Sequence, residues 1–79
     1  MSELLNKILN TISIVIECEQ NELSINSDMK NTDKWDSLNH VVVILKICDV
    51  FALEFKKEFI LEFTSVRKIY NFIKLREDK

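Results

Sequence analysis

The segment WDSLNHVVVILKICDVF, Trp35 to Phe51, decides the fold. Asp and Ser begin helices readily, because their side-chain oxygens accept hydrogen bonds from unpaired backbone N–H groups. The apolar residues that follow recur at three- and four-residue spacing, which is typical of a helix. We therefore predict a helix that begins at Asp36 or Ser37 and ends near Phe51.

This predicted helix carries two apolar stripes at about 100° per residue. One stripe is expected to face the core and contains His40, Val43, Ile44, Ile47 and Phe51. The adjacent stripe contains Leu38, Val41, Leu45, Cys48 and Ala52. A third, partly polar face holds Asn39, Val42, Lys46, Asp49 and Val50. Because a surface helix usually needs only one such stripe, the second indicates a partner surface, with Ser37 at its head.

The chain before this helix divides into a first helix and a long polar segment. Apolar residues at helical spacing predict a helix from Glu3 to Cys18, capped by Ser2. The segment ECEQNELSINSDMKNTDK follows as a loop. A loop of this length often has a function. Its apolar side chains are expected to hold it to the core, and these are Leu23, Ile25 and Met29.

Two further helices are predicted after Phe51. A short one is expected around Lys56 to Leu61. The last begins after Thr64 or Ser65, either of which could cap it, and frays into the charged tail LREDK. Its predicted core stripe is Val66, Ile69, Tyr70 and Ile73. The fold class is therefore all-α, a small bundle of three main helices plus one short helix, in a single domain over residues 1–79.

The composition excludes many functions. The chain of 79 residues has no glycine and no proline, so a P-loop, a dinucleotide fingerprint and a nucleophile elbow are all absent. The formal net charge of −2 argues against nucleic-acid binding. No secretory signal or membrane-spanning run is recognisable, so we expect a cytoplasmic monomer without membrane insertion. Two cysteines and one histidine predict free thiols and no metal site.

The landmarks of the chain resemble those of the acyl carrier proteins and related phosphopantetheine-binding carrier domains. Asp36, Ser37 and Leu38 match the Asp-Ser-Leu motif that opens an apolar helix after a long loop. That helix closes on an aromatic residue, Phe51, and a Thr-Ser-Val start to the last helix follows at residues 64–66. The resemblance covers nearly the whole chain and implies an acyl-carrier-protein-like bundle.

The resemblance implies a carrier rather than an enzyme. A phosphopantetheinyl transferase, using coenzyme A and Mg²⁺, would attach 4′-phosphopantetheine to the hydroxyl of Ser37, and Asp36 would help it to recognise the site. The cofactor's thiol would then carry an acyl or aminoacyl group supplied by a loading ligase or synthase. These enzymes are expected to dock along the second helix, at Leu38, Val41, Val42, Leu45 and Asp49.

Some positions depart from the family pattern. Trp35 and Ala52 stand where the family often has glycine, and Trp35 is similar to a branch of carriers found outside housekeeping fatty-acid synthesis. Acidic residues along the second helix, which steer basic partners, are reduced to Asp49 beyond Asp36. We therefore expect a carrier of a specialised pathway.

Other interpretations of the same residues stay open from the sequence. Ser37 can be a plain helix cap or first-turn serine, and the chain an unmodified helical interaction module with a carrier-like fold. Ser37 and His40 could form a dyad, although a core histidine is favoured because no glycine-rich loop offers oxyanion donors. Trp35 is expected to plug the junction between loop and helix, and Cys48 to serve packing.

Overall fold

A computed structural model describes residues 3–77 of the chain. Within that range four α-helices follow one another: α1 (Glu3–Ile16), α2 (Ser37–Val50), α3 (Glu58–Glu62) and α4 (Val66–Glu77). A single turn of 3₁₀-helix, Gln20–Glu22, interrupts the long loop between α1 and α2. The predicted all-α bundle of three main helices and one short helix is therefore confirmed.

The core forms where α1 packs against both α2 and α4. Helix α1 is amphipathic, as expected. Its buried apolar stripe consists of Ile8, Leu9, Ile12 and Ile16. It meets Val43, Ile44 and Ile47 of α2 and Val66, Ile69 and Ile73 of α4. Each fully buried side chain of this kind contributes about 1.5–3 kcal/mol. The predicted inward stripes of α2 and α4 are thus confirmed, with Phe51 and Tyr70 half-buried at their margins.

Three phenylalanines fix α3 against α4. The rings of Phe59 and Phe63 stack with their centroids 4.6 Å apart. Phe72 of α4 meets both rings edge-on, at 5.3 and 5.1 Å. These are the arrangements that aromatic quadrupoles favour. The short helix is therefore held by side-chain packing, since five residues form too little helix to be stable alone.

Helices α1 and α2 both end in left-handed residues although the chain has no glycine. Glu17 has φ of 58° and Ala52 has φ of 54°. After each of them a backbone N–H reaches back across the helix end, from Cys18 to the Ser13 carbonyl at 3.0 Å and from Leu53 to the Cys48 carbonyl at 2.8 Å. This is the Schellman geometry. The prediction that the first helix runs to Cys18 was wrong, because the left-handed Glu17 stops it at Ile16.

The loop is held mainly by polar contacts. The Asp28 carboxylate accepts hydrogen bonds from the backbone N–H groups of Lys30 and Asn31. An isolated antiparallel bridge joins Asp28 to Ser65, with the Met29 N–H donating to the Thr64 carbonyl at 3.1 Å. Of the three predicted apolar anchors, Leu23 is buried, Met29 packs against the core and Ile25 is only half-buried.

The boundaries of the last two helices differ slightly from those predicted. Helix α3 lies about two residues further along than the expected Lys56 to Leu61. At the start of α4 the Ser65 hydroxyl accepts from the Lys68 N–H at 3.1 Å, which selects Ser65 rather than Thr64 as the cap. Helix α4 continues regularly to Glu77, so the prediction of fraying was wrong for residues 75–77. Ser2, the predicted cap of the first helix, and the last two residues of the tail lie outside the described residues.

Within residues 3–77, no helix has both the length and the apolar content that a membrane crossing requires.

Replacing Ala52 by glycine should stabilise the protein. A residue with a Cβ is strained in the left-handed region, and glycine is not, so we expect a gain of about 0.5–1 kcal/mol after the larger chain entropy of unfolded glycine is subtracted. The exposed helical position Lys46 serves as control, because Lys46→Gly should lose about 1 kcal/mol. Urea unfolding followed by circular dichroism measures both. Equal losses for the two variants would contradict the strain at Ala52.

Candidate functional site

Ser37 is the first residue of α2 but is not its cap. The residue before it, Asp36, has extended backbone, and its carboxylate accepts a hydrogen bond from the Asn39 N–H at 2.9 Å. Ser37 is exposed, and within residues 3–77 no protein group hydrogen-bonds to its hydroxyl. The interpretation of Ser37 as the N-cap is therefore wrong, whereas its place in the first turn of the helix agrees with the alternative of an ordinary first-turn serine.

The backbone around Ser37 suits a negatively charged group. The first N–H groups of a helix have no partner within it and lie at the positive end of the helix dipole. Asp36 occupies the Asn39 N–H, so the N–H groups of Ser37 and Leu38 are those that face an anion on the serine. A phosphodiester at Ser37 would thus fit the local geometry, with the Asp36 carboxylate beside it.

Trp35 and His40 lie beneath this turn. Both are buried, and the Trp35 indole N–H donates to Nδ1 of His40 at 3.0 Å. Because Nδ1 is an acceptor, the ring proton resides on Nε2, which donates to the Ile60 carbonyl at 2.6 Å. The expectations of a plug at Trp35 and of a core histidine at His40 are both confirmed. A Ser37–His40 dyad is excluded, since neither ring nitrogen has a lone pair left for the serine.

The end of the loop is held from the other side by Asn39 and Trp35. The Asn39 side-chain amide donates to the Lys34 carbonyl at 2.8 Å, and the Trp35 N–H donates to the Thr32 carbonyl at 3.0 Å. Asn39 and Lys46 were predicted to lie on the same, partly polar face of the helix. Lys46 is exposed as expected, but Asn39 is half-buried. The backbone on both sides of Ser37 is therefore fixed.

An apolar surface lies next to Ser37 along α2. We call Leu38, Val41, Val42 and Leu45 the α2 patch. Leu38 is 80% exposed, Val41 38%, Val42 47% and Leu45 49%. Four exposed apolar residues in a row along one helix are typical of an interaction surface. The second stripe of α2 is thus exposed as predicted, apart from Cys48.

The predicted outward stripe of α2 was partly wrong near the C-terminal end of the helix. Cys48 was placed with the outward apolar residues, but it turns into the core and is only 5% exposed. The packing role expected for Cys48 is thereby confirmed, and Val42, which was predicted as a docking residue, is exposed. Asp49, the predicted acidic docking residue, is exposed and lies close along the helix to the exposed Lys46. The predicted docking face is therefore mainly apolar, with Lys46 and Asp49 exposed near its far end.

One exposed apolar residue near the site escaped the sequence prediction. Leu61 of α3 is 81% exposed and follows Ile60, whose carbonyl bonds to His40. The sequence carried a weak signal for it, because Phe59 and Phe63 flank Leu61 two residues away on either side and both pack inward. Neither the alternation of Phe59, Leu61 and Phe63 nor the helical periodicity of the sequence predicts that α3 lies beside the start of α2.

The two thiols are free and poorly ionised. Cys18 is half-buried and Cys48 buried. Burial raises the pKa of the Cys48 thiol. Burial also raises the pKa of Cys18, and the carboxylates of Glu22 and Glu19 add to the increase while Lys34 opposes it. Cys18 borders a cleft of about 460 Å³ between α1 and the loop, which Ile16, Leu23 and Lys34 also line and Ser37 does not.

Metal ligands do not converge in the described part of the chain, residues 3–77, where no group of three or more His, Cys, Asp or Glu side chains is placed to hold an ion.

Replacing Glu22 by glutamine should make Cys18 more reactive. A raised pKa means that less thiolate is present at a given pH, so removing the Glu22 charge should lower the pKa and speed alkylation about twofold near pH 8. Glutamine keeps a carbonyl oxygen for the Glu19 N–H, which Glu22 accepts at 2.8 Å. Iodoacetamide labelling resolved by peptide mass spectrometry measures the rate.

Glu54→Gln, which removes an exposed carboxylate that does not act on Cys18, is the control and should leave the rate unchanged. Cys48 should react only after denaturant is added. Slower labelling of Cys18 in the Glu22→Gln variant would contradict the electrostatic contribution.

The geometry around Ser37 is the basis on which a function is proposed. No protein-family model and no curated protein matches the chain. Two features of this geometry point to a function. The hydroxyl of Ser37 is exposed at the start of α2, and an apolar surface lies directly beside it.

Proposed function

We propose that the chain is a carrier protein whose Ser37 bears 4′-phosphopantetheine. The observation that carries the proposal is the division of roles at the start of α2, where Asp36 caps the helix and leaves the exposed Ser37 hydroxyl unused. The helix does not need Ser37 as a cap, and its exposed oxygen remains accessible for modification. The Asp-Ser-Leu motif and the order of the helices, which resemble those of carrier domains, support the same conclusion.

Attachment of the cofactor would transfer the phosphopantetheinyl group from coenzyme A to the Ser37 hydroxyl. The Ser37 oxygen attacks the phosphorus of coenzyme A that is linked to pantetheine, a new O–P bond forms, and the pyrophosphate bond breaks. The nucleoside bisphosphate leaves, and the hydroxyl proton passes to a base on the transferase. This chain supplies the nucleophile and the rigid turn that presents it. His40 supplies no base, because both of its ring nitrogens are engaged.

The carried group needs an accessible thiol beside Ser37, and neither cysteine provides one. Cys18 is half-buried at a cleft that Ser37 does not line. Cys48 is buried and burial raises the pKa of its thiol, so it is inaccessible to a loading enzyme. The thiol of the attached arm would supply the accessible nucleophile and would form the thioester with an acyl or aminoacyl group. A flexible arm also raises the effective concentration of its cargo at a docked enzyme, to the order of millimolar.

The α2 patch is the proposed docking surface for the transferase and for the loading ligase or synthase. It begins at Leu38, next to Ser37, and extends one face of the helix to Leu45. Asp36 lies at the Ser37 end of this surface, and Asp49 lies beyond its opposite end. With so few charges, docking depends on apolar contact more than on steering, which suits a carrier dedicated to a specialised pathway.

An unmodified interaction module is the second candidate function. The exposed apolar residues of the α2 patch favour it, because they fit a protein partner whether or not Ser37 is modified. That function leaves the free hydroxyl of Ser37 without a role. Modification of Ser37 therefore distinguishes the two.

Intact-mass measurement after co-expression with a broad-specificity phosphopantetheinyl transferase tests the carrier function. The chain should gain one phosphopantetheinyl group. Ser37→Ala should abolish the gain without unfolding the protein, because the hydroxyl makes no protein hydrogen bond among residues 3–77. The exposed Ser24 provides the matched control, and Ser24→Ala should be modified like the natural chain. An unchanged mass of the natural chain would reject the carrier and leave the interaction module.

Placing a charge in the α2 patch should weaken docking. We expect Val42→Glu to lower kcat/KM for modification about tenfold, because a carboxylate must then be desolvated at an apolar interface. The control is Ile14→Glu, a change of an exposed apolar residue on α1. Initial rates of modification at increasing carrier concentration measure the effect. Equal values for the two variants would remove Val42 from the interface.

A further inference from the structure

The hydrogen bonds of Trp35 and His40 connect three parts of the molecule. Trp35 belongs to the end of the loop, His40 to the first turns of α2, and Ile60 to α3. The indole N–H donates to Nδ1 of His40, and Nε2–H of His40 donates to the Ile60 carbonyl. Ser37 lies in sequence between the first two residues, so the chain of bonds spans the turn that presents the serine.

This chain has a defined direction. His40 can accept from Trp35 and donate to Ile60 only in its Nε2–H form. The ring planes of Trp35 and His40 are inclined at 41°, with the centroids 6.1 Å apart, so the contact is a hydrogen bond between ring edges rather than a stack. The Trp35 donor and the Ile60 acceptor therefore favour the same tautomer of His40 and hold its ring from both sides.

Helix α3 depends on contacts from two sides. The Phe59, Phe63 and Phe72 rings hold it to α4, and the His40–Ile60 bond holds it to α2. The residue after Ile60 is Leu61, which is as exposed as Leu38 at the start of α2. The same hydrogen bond thus ties the segment that carries Leu61 to the first turns of α2.

We propose that Trp35 and His40 are positioning residues that hold Ser37 with Leu38 and Leu61 with α3 as one surface for the transferase. The inference rests on the proposed function of Ser37. Leu61 extends the docking surface from the α2 patch to α3, and His40 sets the relation between the two parts.

The chemistry of the pair argues for positioning over simple stabilisation. Replacing both partners of a buried hydrogen bond by apolar groups of similar shape is often nearly neutral for stability, so a core of this kind does not need a tryptophan–histidine bond. What directional bonds add is a single allowed arrangement of the groups that they join. Loss of the bonds should therefore change recognition of the carrier more than the chemical step.

Steady-state modification by a broad-specificity transferase, with the carrier as varied substrate, provides the test. His40→Leu removes both bonds, and we expect KM for the carrier to rise about tenfold with kcat changed less than twofold. His40→Gln, whose amide can both accept and donate, should recover most of the loss. Leu61→Ser should raise KM as well, whereas Leu75→Ser, an equally conservative change of an exposed leucine on α4, should not.

Nitrogen-15 NMR of the His40 ring reports directly on the two hydrogen bonds. The natural chain should show a protonated Nε2 and an accepting Nδ1. Trp35→Phe leaves the Ile60 carbonyl in place, so it should keep this tautomer but shift the Nδ1 resonance, which loses its donor, together with a higher KM. An unchanged Nδ1 resonance, or a shifted one with an unchanged KM, would overturn the role assigned to Trp35.

The outcomes separate the two proposals. If the natural chain is not modified, the proposed function and this inference both fail. If it is modified and KM is the same for the natural chain, Trp35→Phe and Leu61→Ser, the carrier stands and the positioning role fails, even where His40→Leu does not fold.

Discussion

The arrangement of the bundle around the start of α2 depends on one buried hydrogen bond, from the Trp35 indole to Nδ1 of His40. It joins the end of a long loop to the helix that follows and leaves the opposite ring nitrogen to bond to α3. A polar pair is costly to bury unless every group is satisfied, and here all three polar atoms have partners. The bond therefore stabilises a particular geometry rather than merely filling space.

A second constraint acts along the whole chain, because it has neither glycine nor proline. Turns must be made by residues with a Cβ and by side chains that imitate the backbone. Glu17 and Ala52 accept left-handed conformations, and Asp28 closes a turn with its carboxylate. The bridge from Asp28 to Ser65 then connects the loop to the start of α4. The result is a loop that is shaped mainly by polar contacts and contributes a few apolar side chains, Leu23, Met29 and Trp35, to the core.

Much of this architecture could be predicted from periodicity alone. The spacing of apolar residues in α2 identifies Val43, Ile44 and Ile47 as inward and Leu38 and Leu45 as outward, because a helix that packs on one side divides its residues by angle. Residues near the boundary of a stripe, such as Cys48, depend on the packing angle between helices, which the sequence does not contain.

The details of the candidate site were harder to predict. Either Asp36 or Ser37 could have capped α2, and only the backbone conformation decides between them. A histidine on an inward stripe predicts burial but not its partners, and Ile60 lies twenty residues away in a short helix whose ends are weakly defined by sequence. The ends of α1 and α2 were uncertain for a related reason, since without glycine no residue type marks a left-handed position.

The position of Trp35 has a practical consequence. It is the only tryptophan in the chain, it is fully buried, and its N–H is bonded to an imidazole. Its fluorescence therefore arises from a single place, the junction of loop and helix directly beneath Ser37. When light is chosen that tryptophan absorbs and the single tyrosine, Tyr70, does not, the emission of the unlabelled protein will report on that junction alone, so events at the serine can be followed optically in real time without adding a dye.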